Sequence, residues 1–289
     1  MIKRRYNRLT AHTSPLPRLG TLLLVIFVTA CSALPKDVSR VPSHALPTDE
    51  TSSVVQQLQP LLAQHPGQSG FLTLVEGEQA FLVRLRMIAA AEKSIDIQYY
   101  IWHDDLTGSI MYNRLLDAAD RGVRVRLLLD DLDTAGKDAM LRKIDTHPNL
   151  EIRLFNPFAN RDMRVGDFVG DTRRVNHRMH NKTLTIDNIA TVFGGRNIGD
   201  EYFDATEAVA FGDLDALGVG GVAAEVSDQF DLYWNSEYVY PLDAFSWDEP
   251  ITEAEVTAFR QTSDARMEEA RNSRYAEILR ELDQSMAQS

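Results

Sequence analysis

The residues of this chain best suited to chemistry lie between positions 180 and 197. His180-Asn181-Lys182 is followed by Asp187 and then by Gly194-Gly195-Arg196-Asn197, which gives the pattern H-x-K-x4-D-x6-G-G-x-N. In extended backbone, residues i and i+2 share a face, so His180 and Lys182 project side by side. An imidazole beside an ammonium suits a phosphate ester: the nitrogen attacks phosphorus while the cation neutralises the non-bridging oxygens. Asn197 adds a neutral donor for the same oxygens. Gly194 and Gly195 remove side chains where backbone must approach closely. Asp187 opens a turn and is expected to hold the loop rather than touch substrate.

The elements that must position these groups can be read from periodicity. Apolar residues at helical spacing predict a helix over 78–92, and SIDIQYYIW (94–102) predicts a strand. A helix over 109–121 stops at Gly122, and VRVRLLL (123–129) is a second strand running into Asp130-Asp131. A helix over 137–146 and a strand over 151–155 follow. Strands alternating with helices imply crossover units and a largely parallel sheet. The stretch 156–179 reads as a long loop, of the kind that carries function in compact domains. Strands at 184–186 and 191–193 flank the Asp187-Asn188 turn, a further strand is expected at 214–219, and a helix at 222–233. From Pro241 onward the sequence turns polar and helical, with no core-forming pattern of its own.

The amino terminus reads as an address. Residues 1–20 hold Lys3, Arg4, Arg5, Arg8 and Arg18 and no acidic residue, and an apolar run of ten (21–30) then ends at Cys31. A basic start followed by an apolar run too short to span a bilayer predicts a secretory signal over 1–30. Val28-Thr29-Ala30-Cys31 resembles a bacterial lipobox, which implies cleavage before Cys31 and lipidation of its thiol. Ser32 after that Cys implies a periplasm-facing anchor in the outer membrane of a bacterial envelope. Residues 31–53, with Pro35, Pro42 and Pro47, read as a tether. A catalytic lobe over 54–240 and a helical extension over 241–289 complete the expected organisation. The formal net charge of −12 argues against a nucleic-acid binder, and one Cys rules out an internal disulfide.

The 180–197 pattern resembles the signature of the phospholipase D superfamily. SIDIQYYIW, RGVRVRLLLDD, GGRNIGDEYFD and FDLYWNS also resemble segments of bacterial cardiolipin synthases, so the resemblance covers roughly residues 71–240. It implies an α/β fold, a phospholipase D-like lobe with a mixed, mostly parallel sheet flanked by helices. It further implies a phospholipid substrate and a reaction through a phosphohistidine intermediate, with no metal and no cofactor. His180, Lys182 and Asn197 would form the catalytic set with Asp213, the first carboxylate of Asp213-Leu214-Asp215. That carboxylate would orient the imidazole, and it is preferred over Asp215. His180 would serve as nucleophile or as general acid.

The chain departs from that family in one respect. A complete site needs two histidine motifs, and of seven histidines only His180 is followed two residues later by Lys. The expectation favoured here is an amino-terminal half whose second lobe follows in a longer enzyme. The other is an isologous homodimer that brings two copies of His180 together. A single-motif dimeric nuclease and a non-catalytic lipid-binding lipoprotein are the rival functions. Asp130, Asp131 and Asp133 are expected to form a solvated strand end rather than a cation site. Arg161, Arg164, Arg173, Arg174, Arg178 and Lys182, set against Asp162, Asp167 and Asp171, form a locally basic stretch that would either attract anionic headgroups or serve only as a solvated loop.

Overall fold

The computed structural model describes residues 34–161, 164, 167, 172–208 and 210–288. The expected signal segment and Cys31 lie outside them. Helix α1 (Ser53–Gln64) leads into β1 (Ser69–Leu74), α2 (Gly77–Ala90), β2 (Ser94–Tyr99) and α3 (Leu106–Asp120). Next come β3 (Arg124–Asp130), α4 (Asp138–Asp145) and β4 (Leu150–Phe155). Beyond the long loop, which carries the short α5 (Thr172–Val175), lie β5 (Thr183–Ile186), β6 (Ala190–Gly194), β7 (Asp215–Gly220), α6 (Gly221–Trp234) and β8 (Val239–Pro241). Helices α7 (Glu253–Arg271) and α8 (Arg274–Gln288) follow. Among the described residues no helix is long and apolar enough to cross a membrane.

The strands form one mixed sheet in the order β1-β7-β6-β5-β2-β3-β4-β8. Among the named strands of the described residues, parallel pairing is found between β2, β3 and β4, where α3 and α4 supply the crossovers. The other neighbours run antiparallel, which corrects the expectation of a mostly parallel sheet. The reason is local. Asp187 and Asn188 both take positive φ, 49° and 53°, the primed-turn geometry that folds β5 straight back onto β6. β1 and β8 then add to the two edges as antiparallel strands.

The alternation in β3 sorts the two faces. Val125, Leu127 and Leu129 join the main core, which includes residues of α2, α3 and α8. Leu128 turns the other way, toward Phe230 and Trp234 of α6. Arg126 shares that second face and is 1% exposed. Its guanidinium donates to both Asp96 oxygens at 2.6 and 2.8 Å and pairs with Asp231 at 2.8 Å.

Two segments pack more closely than their composition predicts. Within the expected tether, residues 40–45 lie as a strap across the α6 side. Arg124 donates to the His44 carbonyl, Arg126 to that of Ser43 and Arg153 to that of Val41, each at 2.8 Å. Arg40 and the Ala45 amide add bonds to the Val239 carbonyl and to Asp231. The polar carboxy-terminal stretch also joins the body: α7 and α8 pack on α2, α3 and α4, with Tyr275 and Leu279 in the core. The Tyr275 hydroxyl donates to the Phe203 carbonyl at 2.8 Å.

Candidate active site

The motif residues meet at the end of the sheet where β2 and β3 finish and β5 begins. β5 pairs antiparallel with β2, setting Thr183 opposite Gln98. The residues just outside that pair, His180 and Lys182 on one side and Tyr100 on the other, are therefore brought together. Lys182 Nζ lies 3.3 Å from His180 Nδ1 and donates to the His180 carbonyl at 2.9 Å. The Tyr100 ring sits beside both, with its centroid 4.7 Å from the imidazole and 5.2 Å from the ammonium. The imidazole is exposed while the lysine is 4% exposed, so the ring faces incoming ligand with a cation beneath it.

The electrostatics follow from this stacking. Desolvation lowers the pKa of His180, the Lys182 charge lowers it further, and Asp213 opposes both. Desolvation also lowers Lys182, against the nearby carboxylates of Asp213, Asp130 and Asp215. A depressed imidazole pKa favours a neutral ring at neutral pH, the state a nucleophile requires.

The remaining motif residues divide into those at the histidine and those that hold the frame. Asp213 lies close enough to act on both His180 and Lys182. Among the described residues, however, it makes no hydrogen bond to the imidazole, whose Nδ1 faces Lys182 instead. Asp215 is fully buried, accepting from Arg84 at 2.9 Å and from the Arg196 amide at 3.2 Å. The inner carboxylate of the pair thus belongs to the core and the outer one to the site. Gly194 and Gly195 run against this segment. A Cβ on Gly194 would lie 2.5 Å from the Leu214 carbonyl oxygen, and one on Gly195 would overlap Asp213 Oδ1. Asn197 is buried; its Oδ1 accepts from the Ile101 amide at 3.1 Å and its Nδ2 donates to the Tyr202 hydroxyl at 3.0 Å. An amide nitrogen carries two N–H groups, so beyond the Tyr202 bond Asn197 has a second donor among the described residues.

Asp187 sits at the far end of β5, remote from the histidine. Its carboxylate accepts the amides of Glu92, Lys93 and Ser94 at 3.0, 2.8 and 2.9 Å. That arrangement ties the β5–β6 turn to the start of β2.

The acidic end of β3 differs from its reading as a solvated strand end. Asp130 and Asp131 are 1% and 0% exposed, and each is claimed by the loop that follows β4. Arg178 donates to Asp130 at 3.0 Å. Arg161 donates to Asp131 at 2.6 Å and Arg164 to the Asp131 carbonyl at the same distance. Arg174 pairs with Asp167 at 3.6 Å. These four arginines are therefore engaged within the protein, and the expected basic patch for headgroups loses most of its charge. Composition identified both clusters; only the tertiary fold shows that they neutralise each other. His103, beyond β2, has Nδ1 3.1 Å from Glu201 and Nε2 3.9 Å from Asp133.

The chain is similar to several known proteins. The family model described as the cardiolipin synthase, PLD-like domain matches residues 85–234. Cardiolipin synthase C of Escherichia coli (strain K12) is 50% identical over 183 residues, which cover 63% of this chain and 39% of the relative. Cardiolipin synthase A of Pseudomonas entomophila (strain L48) is 29% identical over 172 residues, or 58% of this chain and 34% of the relative. Among solved structures, the phosphatidylserine synthase of Haemophilus influenzae Rd KW20 aligns with a TM-score of 0.47 at 16% identity, covering 75% of this chain and 48% of that one. This chain spans about two fifths or less of the length of those two cardiolipin synthases. Because the family model takes in more than half of the sequence, including His180, Lys182, Gly194 and Gly195, the chain belongs to the phospholipase D-like family of cardiolipin synthase domains.

Proposed function

We propose that this chain supplies one lobe of a phospholipase D-type phosphatidyltransferase acting on membrane phospholipid phosphodiesters, in the manner of a cardiolipin synthase. The observation that carries the reading is the exposed His180 ring set 3.3 Å from a buried Lys182 ammonium. A phosphodiester approaching the imidazole meets the cation at its non-bridging oxygens, where charge grows in the transition state. Lys182, with the remaining N–H of Asn197, stabilises those oxygens, and the Asp213 charge favours a transiently positive ring.

The chemistry takes two displacements. An imidazole nitrogen forms a bond to phosphorus as the ester bond to the departing alcohol breaks, and a second imidazole protonates that alcohol. The acceptor alcohol then gives its proton back to the second imidazole and attacks phosphorus, breaking the P–N bond. His180 is one of the two imidazoles. The other comes from a second lobe, supplied by a carboxy-terminal half in a longer enzyme or by a second copy of this chain. The same reading places the protein in a bacterial envelope, anchored through a lipidated Cys31 and facing the periplasm from the outer membrane, where phosphodiester substrate is concentrated.

The deciding experiment incubates the full chain with vesicles of phosphatidylglycerol and phosphatidylethanolamine, with light scattering to count copies and mass spectrometry to read lipids. Cardiolipin or phosphatidic acid should form when two copies assemble or when the carboxy-terminal half of cardiolipin synthase C is supplied, and His180→Ala should abolish it. DNA cleavage without a lipid product would make the chain a dimeric nuclease. Vesicle binding with neither product would make it a non-catalytic lipoprotein.

A further inference from the structure

We propose that Asp130 is the positioning residue for His180. The imidazole is carried on the backbone that enters β5, and the residue before it, Met179, donates its amide to Asp130 Oδ2 at 2.7 Å. The residue before that, Arg178, donates its guanidinium to Asp130 Oδ1 at 3.0 Å. The same oxygen accepts the Leu132 amide at 2.9 Å. One carboxylate at the end of the interior strand β3 therefore grips two consecutive residues immediately ahead of the histidine.

The grip is reinforced on both flanks. Arg178 also donates to the carbonyls of Val175 and Asn156 at 2.6 and 3.0 Å, which spreads the anchor across the loop. The Met179 side chain is buried against Leu128, Phe230 and Trp234. Downstream, β5 fixes the chain from Thr183 onward. Asp130 thus closes the gap between a rigid strand end and the exposed ring, without touching the ring itself.

The residue type supports positioning over simple stabilisation. A desolvated ion pair returns little net stability, whereas its geometry is demanding. Two fixed N–H directions and a guanidinium select one backbone path for residues 178–180. A displacement of about 1 Å at a reacting group costs up to about a hundred-fold in rate.

The proposal rests on the phosphatidyltransferase reading only for its kinetic arm. The test uses Asp130→Asn in the full chain, an isosteric change that sets an amide N–H against one of the present donors. Hydrogen exchange at the Met179 amide and NMR of the His180 ring nitrogens report position directly, whatever the reaction turns out to be. Exchange should quicken at least ten-fold and the ring resonances should shift or broaden. In the assembled enzyme kcat should fall ten- to hundred-fold with KM changed less than two-fold. If Asp130→Asn does not fold, Arg178→Gln loosens the same grip from the other side and should give the same changes in smaller measure. An unchanged Met179 exchange rate with unchanged His180 resonances overturns the proposal, as does an unchanged kcat in an assembly that turns lipid over. Absence of turnover in the wild type would count against the phosphatidyltransferase reading alone, and the exchange and NMR measurements would still decide the role of Asp130.

Discussion

At the scale of single residues, the pair of His180 and Lys182 sets what the site can do, and its electrostatics can be tested. Lys182 is the second cause of the lowered imidazole pKa, after desolvation. Lys182→Met removes a like charge from beside Nδ1, so the His180 pKa should rise. NMR titration of the ring reads this directly, and a constant or lower value would show that the ammonium does not act on it. In the assembled enzyme the same change should cut kcat by about a hundred-fold or more, the usual effect of losing a charge that faces a developing oxyanion. Much of this pair was legible beforehand, because the spacing i, i+2 states a shared direction in extended chain. The choice of Asp213 over Asp215 came from the family resemblance alone. Both carboxylates look equivalent along the chain, and only the buried Arg84 and Arg196, brought from distant segments, claim the second.

At the scale of elements, the crossover region was the most readable part. Helices and strands from α2 to β4 follow the expected order because their periodicity switches cleanly between helical and alternating. β1 was missed: its Phe71 and Leu72 are 61% and 47% exposed, so no inward pattern marks it, and its partner β7 is far away in sequence. The acidic end of β3 was misread because carboxylates are mostly solvated, and its arginines arrive from a loop without periodicity. The joint between α4 and β4 offers a test of buried charge. Asp145 accepts the Ile152 amide at 2.6 Å, and burial pushes its carboxyl up to about 7. Between the unfolded value and that figure the native state binds the extra proton, so stability falls as pH rises through this window. Above pH 7 the ionised form carries a cost on the order of 2–4 kcal/mol. Asp145→Asn, which keeps a carbonyl acceptor, should therefore raise the melting temperature at pH 8 and change it little at pH 4. Equal melting curves at pH 8 would show that the carboxylate is better solvated than its position implies.

At the scale of the whole molecule, the extent of the family match and the extent of the folded body differ. The matched stretch, 85–234, begins inside α2 and stops with α6, so it omits both β1 and β8, the two outer strands of the sheet. It also omits the strap. A chain beginning at Ser53 should lose at least about 3 kcal/mol in urea unfolding, because the carbonyls that receive three guanidiniums, two of them almost fully buried, would be gone. Unaltered unfolding would mean that water replaces them without penalty. Proline, serine and threonine in 34–52 advertise a loose connector; the three arginine side chains that read its backbone come from β3 and β4, and nothing local announces them. The practical consequence concerns where a laboratory cuts the gene. A fragment trimmed to the recognisable homology would expose two raw sheet margins and an unclothed row of cations. Such a fragment would tend to clump whatever its histidine could do, and its silence in an assay would report the scissors rather than the enzyme.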